Sequence, residues 1–468
     1  MRALHFHNRF LASHLPLMSR ASYRIELITA SLMPVALAMF EGGILGVIAK
    51  KAFHAPDLAI SLISAGPVMA NMTSFIWTRL ARGRNRVVVV NIAQFGVVAS
   101  LLVMAAAPLS RFPGLWILLI ASIAGRICMT GIITARSDIW RANYPRSVRF
   151  HVIGNFTILT AAIISLLSIV VGHLMDVNEQ SYRVIFPLAA LVGLAGALVF
   201  RKLRWRRGKS LIQSEKTADA TGQNGASART MFRVLREDKH FRFYMICQFI
   251  LGIANLSLMP PFIKALDETF NLKYGSSMAL TTTIPIGLMV IALPFWSRFL
   301  TRVHIVQFRA VHSWFFVVAI MLTAFGVLGK ILLFLYLSRI IIGIARGGGA
   351  LAWNLGHHDF SSRQLAPIYM GIHVTLTGIR GMIGPFFGML IYAGFNLPLG
   401  KTQDFFKPLV DKLSTHGWLI TESGVLHVPG AGGYAFVFLG LLAMVAALGF
   451  GYQALTLAHA SCDLNYDK

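Results

Sequence analysis

Ile76-Trp77-Thr78-Arg79-Leu80-Ala81-Arg82-Gly83-Arg84-Asn85-Arg86 is a basic stretch set between two apolar runs, and part of it is written twice in the chain. Trp77-Thr78-Arg79 returns as Trp296-Ser297-Arg298. Working outward, Tyr23-Arg24 is echoed by Phe241-Arg242, and Arg126 with Trp140 by Arg339 with Trp353. Gly154 with Leu159-Thr160 matches Gly371 with Leu376-Thr377. The offsets run from about 213 to 219 and the pairs keep one order, which is the signature of a duplicated unit.

The material of each unit is apolar helix. Of 468 residues, 56% are hydrophobic and only 13% charged, with a mean hydropathy of +0.66. That charged share is about half that of a soluble domain. It excludes a soluble enzyme, a disordered chain and a disulfide-built secreted module. Cys128, Cys247 and Cys462 have no paired spacing, so neither a disulfide framework nor a zinc site is expected.

A membrane-spanning helix needs about 20 mostly apolar residues. Twelve runs qualify: 25–48, 58–77, 87–109, 114–136, 150–173, 184–200, 241–263, 278–299, 308–328, 331–353, 367–394 and 434–456. They are continuous rather than alternating, so barrel strands are not expected. The run beginning near Ile25 is of span length and lacks the short core and cleavage site of a signal peptide.

The net charge of +25 is an orientation signal. With the N-terminus inside, 29 of the 43 Lys and Arg fall in inner loops and tails and 10 in outer loops. Both termini are therefore expected in the cytoplasm, most simply at a bacterial inner membrane. The outer basic residues face Asp57, Asp176, Glu179, Asp267, Glu268, Asp404, Asp411 and Glu422, which nearly balance them. The expected division is a cytoplasmic segment 1–24, a six-helix bundle 25–200, a cytoplasmic linker 201–240, a second bundle 241–456 with an extracytoplasmic loop 396–432, and a tail 457–468. That loop carries an amphipathic piece at Phe405, Phe406, Leu409 and Leu413. The linker opens on Arg201-Lys202-Leu203-Arg204-Trp205-Arg206-Arg207, which suits anionic headgroups rather than nucleic acid.

Six-plus-six hydropathy, the repeat and the basic loop after the second span resemble the major facilitator superfamily over nearly the whole length. The fold class is thus an all-α polytopic membrane protein with twelve transmembrane helices in two pseudo-symmetric six-helix bundles. The family loop runs Gly, three residues, Asp-Arg, one residue, Gly-Arg-Arg/Lys. Gly83 and Arg84 fit it, Arg82 and Arg86 fall one residue late, and Leu80 stands at the acidic position. The resemblance assigns Gly83, Arg84 and, in the second half, Arg298 to conformational gating, without the acid that forms a lock in the family. Arg126 with Thr130-Gly131 and Arg339 with Gly343 are similar to the family's span 4 pattern. Gly384-Pro385-Phe386-Phe387-Gly388, usual in span 5 of antiporters, sits in span 11 instead. The resemblance also implies a monomer and a small-molecule solute. No nucleotide or cofactor motif accompanies it: Gly347-Gly348-Gly349 has no strand before it and no Lys-Ser/Thr after it.

An ionisable side chain at bilayer depth costs at least about 2.5–3.5 kcal/mol and normally faces an interior or a wet cavity. Glu41, Arg126, Arg339, Arg346 and Arg380 lie inside the runs. Ser122, Arg126, Thr130 and Thr134 form one helical stripe, His373, Thr377, Arg380 and Gly384 another, and Gln248 shares a face with Asn255 ahead of Pro260-Pro261. In the family fold spans 1, 4, 7 and 10 line the cavity and 2, 5, 8 and 11 flank it. Substrate binding is therefore expected of Arg126, Thr130, Gln248, Asn255, Arg339, Thr377 and Arg380, with helix packing as the competing reading for each. Arg346, close to the inner end of its span, could equally snorkel. Excess arginine favours an anionic solute, because the planar guanidinium donates two parallel hydrogen bonds to carboxylate or phosphate. Proton coupling is expected of Glu41, with His373 as a second candidate, since a carboxylate that changes its arginine partner changes its proton affinity. An exporter of amphipathic, drug-like compounds is the alternative. A membrane-embedded lipid-modifying enzyme built on His357-His358-Asp359 is remote, for want of a nucleophile.

Overall fold

Helices form where the apolar runs lie, and polar or proline-bearing breaks end them. The computed structural model describes residues 10–220, 228–361, 365–398, 420–422 and 425–466. Among them, twelve helices are long and apolar enough to cross a membrane, from Leu17–Ala52 to Tyr434–Leu457. Side chains such as Ile120, Ile133, Leu166 and Ile291 stand exposed on their flanks, as a lipid-facing surface requires. Each half packs around its own apolar core.

Three spans are broken: span 2 into Asp57–Asn71 and Ser74–Ala81, and spans 1 and 7 as well. Span 1 is a helix Leu17–Ala38 and a second helix Gly42–Ala52. Glu41 stands between them with extended backbone, followed by two glycines, which are poor helix formers. This corrects the continuous helix expected over 25–48. Span 7 is Lys239–Ser257 followed by Met259–Glu268. Pro260 and Pro261 fall in the first turn of the second piece, where a missing N–H costs nothing.

The repeat is visible in the packing. The Trp77 indole donates to the Ile127 carbonyl of span 4 (2.8 Å), and the Trp296 indole donates to the Ile344 carbonyl of span 10 (2.7 Å). Each ring lies against a glycine, Gly131 and Gly348, where any side chain would collide with it. These equivalences run at offsets of 217 to 219. At 217, the partner of Arg126 is Gly343, not Arg339. The pairing of Arg126 with Arg339 at 213 is therefore one helical turn out.

We call the end bearing both termini and the linker the linker face, and the other end the distal face. At the distal face the halves are tied together. Lys50 pairs with Glu268 (2.7 Å), Lys51 with Asp267 (2.5 Å) and Lys264 with Asp57 (2.6 Å). Asp176 accepts from the backbone N–H of Tyr274 (2.6 Å) and Gly275 (3.0 Å), and Glu179 from the Tyr274 hydroxyl (2.8 Å). Deeper in, a π-helical turn Ala279–Thr283 in span 8 brings Thr281 to the Gly43 carbonyl (3.2 Å) and the Thr283 carbonyl to Ser165 (2.9 Å).

The linker is more ordered than its polar sequence predicts, with helices Gly208–Ala220 and Ala228–Glu237. Before the last span, three short strands add a small antiparallel sheet to the helical fold: β1 (Gly394–Pro398), β2 (Ile420–Glu422) and β3 (Val425–Pro429), in the order β1-β3-β2. Phe405, Phe406, Leu409, Leu413 and Arg363 lie outside the described residues.

Candidate functional site

A cavity of about 270 Å³ lies on the inner face of the second half, with Val68 of span 2 as a wall from the first. Gln248 and Asn255 of span 7, Arg309 of span 9, Arg346 and Trp353 of span 10, and Thr377 and Arg380 of span 11 line it. Among the described lining residues there is no carboxylate.

Arg380 is 6% exposed. It donates to the Gln248 carbonyl and to the Thr377 hydroxyl (3.1 Å), while its Nε–H has no protein partner. Thr377 in turn donates to the His373 carbonyl (2.8 Å). The His373 ring lies behind the lining, 5.6 Å from the Trp353 ring. Thus four of the residues expected from sequence, Gln248, Asn255, Thr377 and Arg380, come together at one place.

Arg309 belongs to this site, although its position suggests the basic loop before span 9. That helix begins at Ile305, capped by the His304 side chain and by Asp359, which accepts the Ile305 N–H (2.8 Å). Arg309 is therefore a turn inside it and only 2% exposed. It donates to His312 Nδ1 (3.2 Å), and its Nε–H is unpartnered. His312 Nε2 meets the Ala345 carbonyl (2.7 Å). With Nδ1 accepting and Nε2 donating, His312 is the neutral tautomer. An Arg-x-x-His pair inside an apolar run was the signal for it.

Arg126 and Arg339 are placed in helix contacts rather than in this lining. Arg126 donates to the Phe40 carbonyl at the break of span 1, where a helix end exposes its acceptors. Thr130 reaches Asn71 (3.3 Å) across spans 2 and 4. Arg339, 1% exposed, donates to Thr323 (2.7 Å) and Ser338 (2.9 Å) and lies 4.0 Å over the Phe262 ring. Glu41 lies between the halves, within electrostatic reach of Arg126 and of Arg346.

At the linker face of the first half, Gly83 takes the left-handed backbone of a tight turn and donates its N–H to Glu215 (2.9 Å) of the linker helix Gly208–Ala220. Arg84 and Arg298 are exposed. The buried arginine of this loop is Arg86, which pairs with Asp138 (2.9 Å) and Glu215 (2.5 Å) beneath the Trp205 ring. Leu80 leaves the loop without an acid, and span 4 and the linker supply two. Sequence reading also passed over Glu26, fully buried, which accepts from Arg136 (3.0 Å), Trp140 (2.7 Å) and Tyr144 (3.0 Å). A carboxylate one residue into an apolar run was its signal. The side chains of His357 and His358 lie outside the described ones, while Asp359 serves as the cap of span 9.

Twelve membrane-crossing helices in two repeated halves about a polar cavity define a multi-pass membrane protein with a transporter fold. The sequence profile of the Major Facilitator Superfamily matches residues 25–385, and the chain belongs to that superfamily. Solved structures of the same fold include a mutant form of the nucleoside transporter NupG (TM-score 0.64, 13% identity, covering 92% of this chain and 99% of that one). A POT family transporter in complex with a thioalcohol-conjugated peptide follows (0.63, 13%, 91% and 94%). So does the xylose transporter XylE from E. coli in a partially occluded inward-open conformation (0.61, 12%, 92% and 97%). None of the curated proteins matches the chain.

Proposed function

We propose that the protein is a secondary active transporter that moves a small anionic solute by alternating access, coupled to protons through Glu41. The observation that carries the anion is the lining itself. Arg309, Arg346 and Arg380 enter one cavity without a lining carboxylate, and two of them hold unpartnered Nε–H donors. Buried donors are nearly always satisfied, so such a pair favours a ligand that completes them. Glu41 is in electrostatic reach of Arg346 and stands at the break of span 1, between the halves. A carboxylate that loses its arginine neighbours gains affinity for a proton.

The excess of basic residues on the linker face supports the reading that this face, with both termini, is cytoplasmic. The ion pairs then close the outer side, and the state is inward-facing. The proteins named above are a nucleoside transporter, a transporter solved with a bound conjugated peptide and a xylose transporter; the arginines are what direct this chain to anions.

The test is transport in proteoliposomes with a panel of carboxylates and phosphates. Arg380→Gln is expected to raise the KM for the transported anion at least tenfold. Glu41→Gln is expected to abolish accumulation driven by a pH gradient while anion counterflow persists. Accumulation that survives Glu41→Gln refutes the coupling, and a neutral solute as the only cargo refutes the anion.

A further inference from the structure

We infer that this cavity, read as the anion site above, is built for a divalent anion with a flat or apolar body. The argument is a count of charge that the hydrogen bonds make possible. Arg309 spends one N–H on a neutral histidine, since His312 gives its own proton to the Ala345 carbonyl. Arg380 spends its two terminal nitrogens on the Gln248 carbonyl and the Thr377 hydroxyl, both neutral. Among the described residues neither finds a counter-charge. Glu41, from the other half, acts electrostatically on Arg346, and on Arg126 as well. Even with Glu41 counted wholly against Arg346, the three guanidinium groups leave at least two positive charges, and Arg309 and Arg380 are buried.

A monovalent anion would neutralise one of them and leave the other desolvated without a partner, which is costly in a low-dielectric site. A divalent anion neutralises both. Arg309 and Arg380 also interact electrostatically with each other, so a ligand that spans them removes a repulsion as well as filling two orphaned donors. Around the charges the walls are apolar: Leu251, Leu256, Phe316, Trp353 and Val68. An anion that is all charge, such as inorganic phosphate, leaves those walls wet; an organic body covers them. Both an aromatic dicarboxylate and an aromatic phosphate monoester meet the description, and the shared chemistry is two negative charges on one face of a flat hydrophobic body.

The experiment uses the purified full-length protein and three probes at pH 7.5 and fixed ionic strength: benzoate, phthalate and phenyl phosphate. Binding is read by calorimetric titration and by thermal shift. The expected result is that phthalate, phenyl phosphate or both bind at least tenfold tighter than benzoate. Phthalate against phenyl phosphate then separates a carboxylate from a phosphoryl source. Arg309→Gln, with one charge fewer, should lose that preference, the divalent probes binding no more than about threefold tighter than benzoate, while its size-exclusion profile and unliganded thermal unfolding show whether it folds. If Arg309→Gln binds nothing, Arg309→Lys, which keeps the charge, carries the test: retained preference supports the inference and lost preference overturns it. Benzoate binding as tightly as both divalent probes overturns it while leaving the anion reading intact. Failure of all three to bind overturns both together.

Discussion

Whether an arginine at bilayer depth holds a ligand or a helix is decided by its neighbours. The sequence marks Arg126, Arg339 and Arg380 alike, because each interrupts an apolar run. Arg380 alone of the three lines the cavity; Arg339 lies on Phe262 and Arg126 holds the broken end of span 1. A guanidinium on a long stem can turn to either side of its helix, and no spacing rule records which. Glu26 is the counter-case, a buried acid whose donors are all in place. Burial, and then Glu26 beside it, push the Tyr144 phenol well above its ordinary range, so it remains a donor. Removing one member of a buried ion pair leaves the other charge stranded, at a cost of about 3–5 kcal/mol. Glu26→Ala should therefore lose most of its folded yield in detergent. Glu26→Gln, which can still accept from Trp140 and Tyr144, should lose clearly less. Thermal unfolding of the two variants checks this; equal stability to the parent in Glu26→Ala would show that the cluster contributes nothing.

Elements were more legible than residues. Twelve apolar runs give twelve spans because hydropathy over about 20 residues is a property of the segment and not of its partners. The Trp-Thr-Arg and Trp-Ser-Arg echo also had a physical basis, since each tryptophan clamps the fourth span of its half over a glycine. What pattern could not supply was the correct register of the repeat, one turn away, or the source of the missing acid. Leu80 removes the acid from the loop, and Glu215, far along the chain, takes up Gly83 and Arg86 instead. A contact between segments so distant has no local spacing. This makes the linker helix Gly208–Ala220 a latch on the first half. Its hydrogen bonds to a charged group contribute about 1.5–3 kcal/mol. Glu215→Gln keeps an acceptor for Gly83 but loses the ion pair with Arg86. Backbone amides of 208–220 should then exchange with deuterium roughly tenfold faster, while spans 3 and 4 exchange as before. Unchanged exchange in the linker would mean that Trp205 and the backbone alone hold it.

At the scale of the whole molecule the two halves are tied by ion pairs at the distal face. Lys50, Lys51 and Lys264 each find an acid on the opposite half, and Asp176 and Glu179 hold the start of span 8. Three of the basic residues that the sequence assigns to outer loops are thus paired across the interface. Pairs that are partly exposed are individually weak, about 0.2–1 kcal/mol each. Weakness suits a contact that must break in every cycle: a strong buried lock would trap one state. Three acting together still bias the equilibrium by roughly 1–2 kcal/mol, about five- to thirtyfold in population. The triple change Asp57→Asn, Asp267→Asn and Glu268→Gln should shift the resting protein toward a form open at the distal face. Spin labels at Arg111→Cys and Lys330→Cys, on exposed turns of the two halves at that face, read the shift as a growing long-distance population. High salt should produce a smaller shift in the same direction in the parent and almost none in the triple variant, because screening acts on the same pairs. A distance distribution that is identical in parent and variant would mean that the apolar crossing of spans 1, 7 and 8, and not charge, closes the distal face.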